Sequence, residues 1–203
     1  GRTSLAVSVA SNVLALLVGV PVGLIAGYYG RWADTCLMRL ADIQLSVPTT
    51  LLAIAVVAVL GPSMVNLVIV LAITRWVLYA RAVRASVLEI KEREFVEAAV
   101  AAGAPHLVVI KRHVLRNVMT PIIIITSQGI GFIILLEAAL SFLGLGVQPP
   151  HPSWGEMIAA GRQYLNVAPW VVLAPGLALM ITVLAVNFLG DGIRDLLDPR
   201  LRW

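Results

Sequence analysis

The chain has 203 residues, of which 60% are apolar and only 13% charged, with a mean hydropathy of +0.93. A soluble domain carries about 25% charged residues and could not hide this much apolar surface, so an ordinary water-soluble fold is excluded and lipid becomes the solvent for much of the chain. The net charge of +4 is no sign of nucleic acid, because the basic residues, once placed, line one side of a membrane.

A helix crosses a bilayer with about 20 apolar residues. No charge interrupts residues 3–30, and 5–28 is the first predicted span; its Gly19, Gly23 and Gly27 recur every fourth residue, the spacing of close helix contact. Residues 32–42 are amphipathic and contain Cys36, which has no partner for an internal disulfide and reads as a small filler. Residues 43–74 are again uncharged, but Gly61-Pro62 divides them. The second span is 43–60, bent at Pro48, and the third is 64–84, with Arg75 inside it.

A polar excursion over 85–117 follows. Residues 86–102 predict a helix, polar through Glu89–Glu94 and then apolar from Phe95. Gly103 suits the left-handed position that ends a helix, and Pro105 the first turn of the next. Residues 106–117 restart as an amphipathic helix with Leu107, Val108, Ile110, Val114 and Leu115 on its apolar side. His106 and His113 share a face but no further ligand joins them, so no metal site is expected.

The fourth span, 118–143, carries Ser127, Gln128 and Glu137, and the small residues Gly129 and Gly131 read as helix contacts. Glu137 is the acid furthest inside an apolar helix; it either faces a water-filled path or bonds between helices, possible partners being a substrate amine or Arg75. Pro149, Pro150 and Pro152 stiffen the next connection, where Trp154 suits an interfacial anchor or a docking surface. The fifth span is 168–190, with Asn187 inside it. The expectation is an all-α polytopic bundle, since isolated strands cannot satisfy their backbone in lipid and nothing alternates as a barrel does.

Orientation follows from charge. Arg31, Arg39, Arg81, Arg84, Lys91, Arg93, Lys111, Arg112, Arg116, Arg194, Arg200 and Arg202 fall on one side, and only Arg2 and Arg162 on the other, with Arg75 uncounted. The loop 85–117 and the C-terminus are therefore expected in the cytoplasm and Gly1 outside, which asks for one further span upstream.

The loop narrows the function. Glu97-Ala98-Ala99, three more residues, Gly103, and the run on to Leu115 resemble the EAA loop of ABC importer permeases, although Leu115 is followed by Arg116 where that pattern has proline. The stretches GYYGRWAD, LMRLADIQLSVPTTLLAIAVVAVLG, SFLGLGVQPPHPSWGEMIAAGR and LGDGIRDLLDPR resemble the dipeptide/oligopeptide/nickel permease group, nearest its C-type subunit. The resemblance covers essentially the whole chain. It implies the type I ABC importer permease fold, of which five of six spans are present, and a prokaryotic plasma membrane.

In that family the loop is a coupling helix seated in an ATPase groove. Glu97, Ala98, Ala99, Gly103, Ala104, Pro105 and Leu107 would carry that contact, while Glu137, Gln128, Ser127 and Asn187 would face the translocation path. The implied partners are a homologous B-type permease, two ATPase subunits, an extracytoplasmic binding protein and a peptide. ATP and Mg²⁺ would bind in the ATPase subunits, and this chain, which lacks a GxxxxGK[ST] loop, is expected to hold no cofactor and to be no enzyme. The rival readings are the same machinery carrying nickel or another small solute, and an ATP-independent channel.

Overall fold

A computed structural model of the chain describes residues 1–148 and 150–197; Pro149 and residues 198–203, with Arg200, Arg202 and the end of the 189–200 stretch, lie outside the described residues. Among the described residues the regular elements are all helical. They are α1 (Arg2–Tyr29), α2 (Arg31–Leu45), α3 (Thr49–Leu60), α4 (Met64–Ile90), α5 (Glu94–Ala101), α6 (His106–Val108), a π-helical segment (Val109–Val114), α7 (Leu115–Phe142), α8 (Trp154–Gly161), a 3-10 turn (Arg162–Tyr164) and α9 (Trp170–Leu197).

Four stretches are long and apolar enough to cross a membrane: α1, α4, α6 through α7, and α9. The 28 residues of α1 rise about 42 Å, more than the hydrocarbon thickness of a bilayer. The α2–α3 pair would add a fifth, broken crossing.

The expected second span, 43–60, is not one helix. Its two halves belong to α2 and α3, which meet at 87°. Pro48 has no N–H to continue a helical ladder and drives Val47 out of the helical region. The Ser46 hydroxyl meanwhile donates to the carbonyl of Ile43 at 2.6 Å. The bend anticipated at Pro48 is thus a full corner, and α2 reaches back to Arg31 to include the amphipathic stretch. Asn66 closes the next turn, its Nδ2 donating to the carbonyls of Leu60 and Gly61 at 2.8 and 3.0 Å, while Ser63 caps α4 by accepting from the Asn66 N–H.

Polar contacts hold α2 against α4. Asp34 takes a two-pronged ion pair from Arg84, its Oδ2 2.6 Å from Nη2, and Asp42 pairs with Arg81. Gln44 accepts from the Trp76 indole N–H at 2.7 Å and donates to the carbonyl of Ile73. Ala41 packs beneath these pairs on Trp76, Val77 and Ala80.

The centre of the bundle is the parallel contact of α1 with α4. A Cβ on Gly19 would lie 2.4 Å from the carbonyl oxygen of Trp76, one on Gly23 2.5 Å from that of Ala80, and one on Gly27 2.8 Å from Cβ of Val87. The three glycines therefore share the face that their spacing indicates, and they bring two backbones together. α7 runs antiparallel across this pair. Towards the Met64 end, Val7, Leu67, Leu71, Ile133 and Leu140 form one core with Ala53 and Val57 of α3. Towards the basic end, Val20, Val83, Val87, Val96, Val109, Val114 and Val118 form another. α9 packs on α7 and α8 but leaves Leu173, Leu177, Ile181, Leu184 and Phe188 exposed.

Gly23→Val should lower the stability of the detergent-purified protein by about 2 kcal/mol or more, because overpacking against a backbone cannot relax by rotamer change. Gly176→Ala, where no atom lies within 4 Å of the added carbon, should be neutral or stabilising by about 0.5–1 kcal/mol. Unfolding midpoints in mixed micelles read both; equal effects of the two would contradict the packing described.

Candidate functional site

The expected helix 86–102 is two helices. α4 continues to Ile90, Lys91-Glu92-Arg93 break it, and α5 begins at Glu94. Three consecutive long charged side chains seek water, and Arg93 turns back to pair with Glu89 at 2.6 Å.

α5 then buries Val96 and half-buries Ala99, while Glu97, Ala98, Ala101 and Ala102 stay exposed. Its end is a Schellman motif. The Gly103 N–H donates to the carbonyl of Val100 at 2.9 Å and the Ala104 N–H to that of Ala99 at 3.1 Å, with Gly103 at φ 78°. A residue with a Cβ would be strained there by about 1 kcal/mol or more, although no atom lies within 4 Å to obstruct it. The left-handed corner read from the sequence is present, and its cause is backbone geometry rather than crowding.

Pro105 stands one place earlier than the first-turn position expected for it. At φ −58° and ψ 140° it is the N-cap, and its carbonyl accepts from the Val108 and Val109 N–H groups. The expected amphipathic helix 106–117 is α6, one π turn and the start of α7 in unbroken succession. His106 is tied to α1, its Nδ1 lying 2.9 Å from the Tyr28 hydroxyl with the rings edge to face. Neither this tie nor Lys91 Nζ reaching the Gly27 carbonyl is visible from local spacing.

The loop is thus a short corner of α5 and α6 standing on buried Val96 and Val109. Phe95, Val100, Leu107 and Val108 are exposed beside Glu97 and Ala98, and Leu107 is 65% exposed. Small residues with a few protruding apolar ones make a surface that another protein can approach closely.

The membrane-embedded polar residues fall into three groups. Ser127 and Asn187 each face a glycine of the other helix where α7 crosses α9: a Cβ on Gly131 would sit 2.5 Å from Asn187 Oδ1, and one on Gly190 3.2 Å from the Ser127 hydroxyl. Ser127 itself donates to the carbonyl of Ile124, and its neighbour Gln128 is exposed. Glu137 stands apart from these, nearer the Met64 end, and is 0% exposed. Its Oε1 accepts from the Ser141 hydroxyl at 2.7 Å, and its Oε2 has no partner among the described residues.

The third group escaped the sequence reading. Asn12 of α1 donates to the carbonyl of Thr126 at 2.8 Å and accepts from the Tyr79 hydroxyl at 2.7 Å, joining α1, α4 and α7. Arg75 lies beside it, its carbon 5.0 Å from the centre of the Phe132 ring. The only available signal was a lone asparagine in an uncharged run. Arg75 and Glu137, a pair allowed by sequence, form no ion pair in the structure; their anchors on α7, Gly129 and Glu137 itself, are about 12 Å apart along the helix.

Removing the donor to Glu137 tests that bond. Ser141→Ala should cost about 1–3 kcal/mol, the penalty of stranding a buried acceptor. Measured with Glu137→Gln in a double-mutant cycle, the two effects should be non-additive; simple additivity would mean that the bond contributes nothing.

Comparison with known proteins accords with this geometry. Residues 19–203 match the family described as the binding-protein-dependent transport system inner membrane component. A dipeptide transport system permease protein DppC of Alkalihalophilus pseudofirmus is 47% identical over 99% of this chain and 66% of its own length. A di/tripeptide transport system permease DppC of Pseudomonas aeruginosa is 46% identical, and a glutathione transport system permease GsiD of Pectobacterium atrosepticum 44%, again over 99% of this chain. The chain spans about two thirds of the length of these relatives. A chain of an inward-facing MetNI methionine ABC transporter superposes with a TM-score of 0.75 over 97% of this chain and 94% of its own, at 20% identity, so the fold is that of a type I ABC importer permease. By sequence and by fold, this chain belongs to the binding-protein-dependent transport system inner membrane component family.

Proposed function

We propose that the chain is the membrane-spanning permease of an ATP-driven importer of di- or oligopeptides. The observation that carries this reading is the corner of α5 and α6: an exposed, small-residue surface fixed by a Schellman motif and rooted in the same valine core that joins α1, α4 and α7. The peptide substrate rests on relatives named for dipeptides, di/tripeptides and glutathione.

In this reading the corner seats in a groove of an ATPase subunit, with Glu97 at the joint and Ala98, Ala99 and Ala104 permitting close approach. Leu107 and Pro105 form the leading edge. ATP bound with Mg²⁺ in the ATPase pair supplies the free energy of the cycle. This chain converts displacement of the corner into tilting of α4 and α7, because Val96 and Val109 share a core with Val83, Val87 and Val118. A second, homologous permease completes the path and a binding protein delivers the peptide. Gln128, Ser127 and Asn187 at the α7–α9 crossing are the residues we place towards the path. Glu137, sealed from solvent, is read as a fastening of the outer half of α7. The loop side of the bundle is cytoplasmic and the α8 side extracytoplasmic.

Gly103→Val and Glu97→Lys should each leave membrane abundance of the chain unchanged, since both residues are exposed and neither belongs to the valine core that joins the corner to the spans. Both should weaken co-purification of the ATPase and abolish peptide-stimulated ATP hydrolysis in the reconstituted complex. Full coupled transport by both variants would remove the corner from the transmission path.

Topology is tested in a background where exposed Cys36 is replaced by serine. Gln163→Cys, beyond α8, should react with an impermeant thiol reagent added to intact cells, and Glu92→Cys should not. Both positions are exposed in the structure. Reversed labelling would invert the orientation.

A further inference from the structure

We propose that Arg75 is the receptor for the C-terminal carboxylate of the transported peptide, in a pocket between the α2–α3 corner, α4 and α7. This rests on the importer reading given above. The pocket has a volume of about 220 Å³ and is bounded by Leu45, Thr49, Thr74, Arg75, Arg81 and Phe132.

Three observations point to an anion. First, Arg75 has no carboxylate partner among the described residues, whereas the pocket's other arginine, Arg81, pairs with Asp42, and Arg84 one turn further pairs with Asp34. Second, Nε of Arg75 is buried without a hydrogen-bond partner among the described residues. An intramembrane guanidinium is costly and is found facing a polar path or a counter-charge rather than lipid tails. Third, the guanidinium lies over the face of Phe132, its carbon 5.0 Å from the ring centre. That contact fixes the plane of the fork and leaves its N–H edge for a planar anion, the geometry in which arginine grips a carboxylate with two bonds.

Depth and size select the source of that anion. Arg75 stands about 16 Å along α4 from Met64 and about 22 Å from Ile90, near the middle of the crossing. Lipid headgroups lie at the two surfaces of a hydrocarbon layer about 30 Å thick and do not reach it. A pocket smaller than a drug-sized site takes a terminal residue rather than a whole peptide. A free C-terminus is the anion common to all unmodified peptides, so one arginine at this depth serves substrates of differing sequence. Thr49 adds a hydroxyl at the rim.

The test uses the whole complex in nanodiscs, with its partner permease, ATPases and binding protein. The probes are a tri-alanine peptide whose C-terminal residue carries a photoreactive diazirine, and the same peptide as its C-terminal amide. After illumination, labelling of α4 and α7 is read by mass spectrometry. The free acid should label residues flanking Arg75, and the amide about ten- to a hundredfold less, the range expected for losing a charge-assisted bond. Arg75→Gln should reduce labelling by the acid to the level of the amide, while Arg75→Lys should keep part of the preference. Equal labelling by acid and amide in the wild-type complex overturns the proposal by itself, even if Arg75→Gln fails to assemble. An acid preference that survives Arg75→Gln also overturns it. Uptake of plain tri-alanine into proteoliposomes separates the two readings. Peptide uptake without an acid preference at Arg75 defeats this subsite alone, whereas no uptake of any peptide defeats the importer reading and the subsite with it.

Discussion

The approach of α1 to α4 at Gly19, Gly23 and Gly27 governs the rest of the bundle. In lipid there is no gain from hiding apolar side chains from water, so helices associate through close packing and polar bonds. With carbonyl oxygens of α4 lying where a Cβ of α1 would stand, two backbones touch along two turns and set the spacing for everything attached to them. That spacing lets Asn12 reach both Tyr79 and Thr126. At the basic end it brings Val20, Val83 and Val87 into the one core that also takes Val96 and Val109. The corner of α5 and α6 thus inherits its position from a contact made inside the membrane.

The charged residues of α4 divide the same helix into two kinds of chemistry. Arg81 and Arg84 are spent on Asp42 and Asp34, holding α2 in place. The Arg81–Asp42 pair is about half exposed on both sides, so it contributes about 0–1 kcal/mol and mainly sets direction. Arg75 lies about two turns deeper and has no such partner among the described residues. The buried Glu137, an obvious counter-charge on paper, is bonded to Ser141 on its own helix instead. Arg75 and Glu137 therefore form no ion pair, and the polar centre of the bundle is organised by neutral groups, Asn12, Tyr79 and Thr126.

Legibility in the sequence followed the range of the interaction. The glycine face of α1 and the left-handed corner at Gly103 were readable because each depends on a few neighbouring residues and on backbone sterics. The long apolar helices and the type of fold were readable for the same reason. The full corner at Pro48 was underestimated, since an unbroken apolar run hides a change of direction. The break at Lys91–Arg93 was missed because the charges continue a helical pattern. Pairings over long separations, such as Tyr28 with His106 and Gln44 with Trp76, leave no periodic trace. Of the residues assigned to a membrane path, Ser127 and Asn187 both fall at the α7–α9 contact, but Glu137 does not join them, because it stands about 15 Å further along α7 than Ser127.

The π turn at Val109–Val114 has a mechanical meaning. A π turn carries one residue more than the helix around it and gives up the tight i to i−4 ladder locally. Pro121, a turn or two further along, removes another rung from α7. Between them the shaft from the corner to the bundle has two slackened joints in an otherwise stiff rod. Such a rod carries thrust along its axis while its foot swivels in azimuth. In the importer reading proposed above, such a foot would keep its seat on a partner that rotates beneath it while still passing thrust to the bundle.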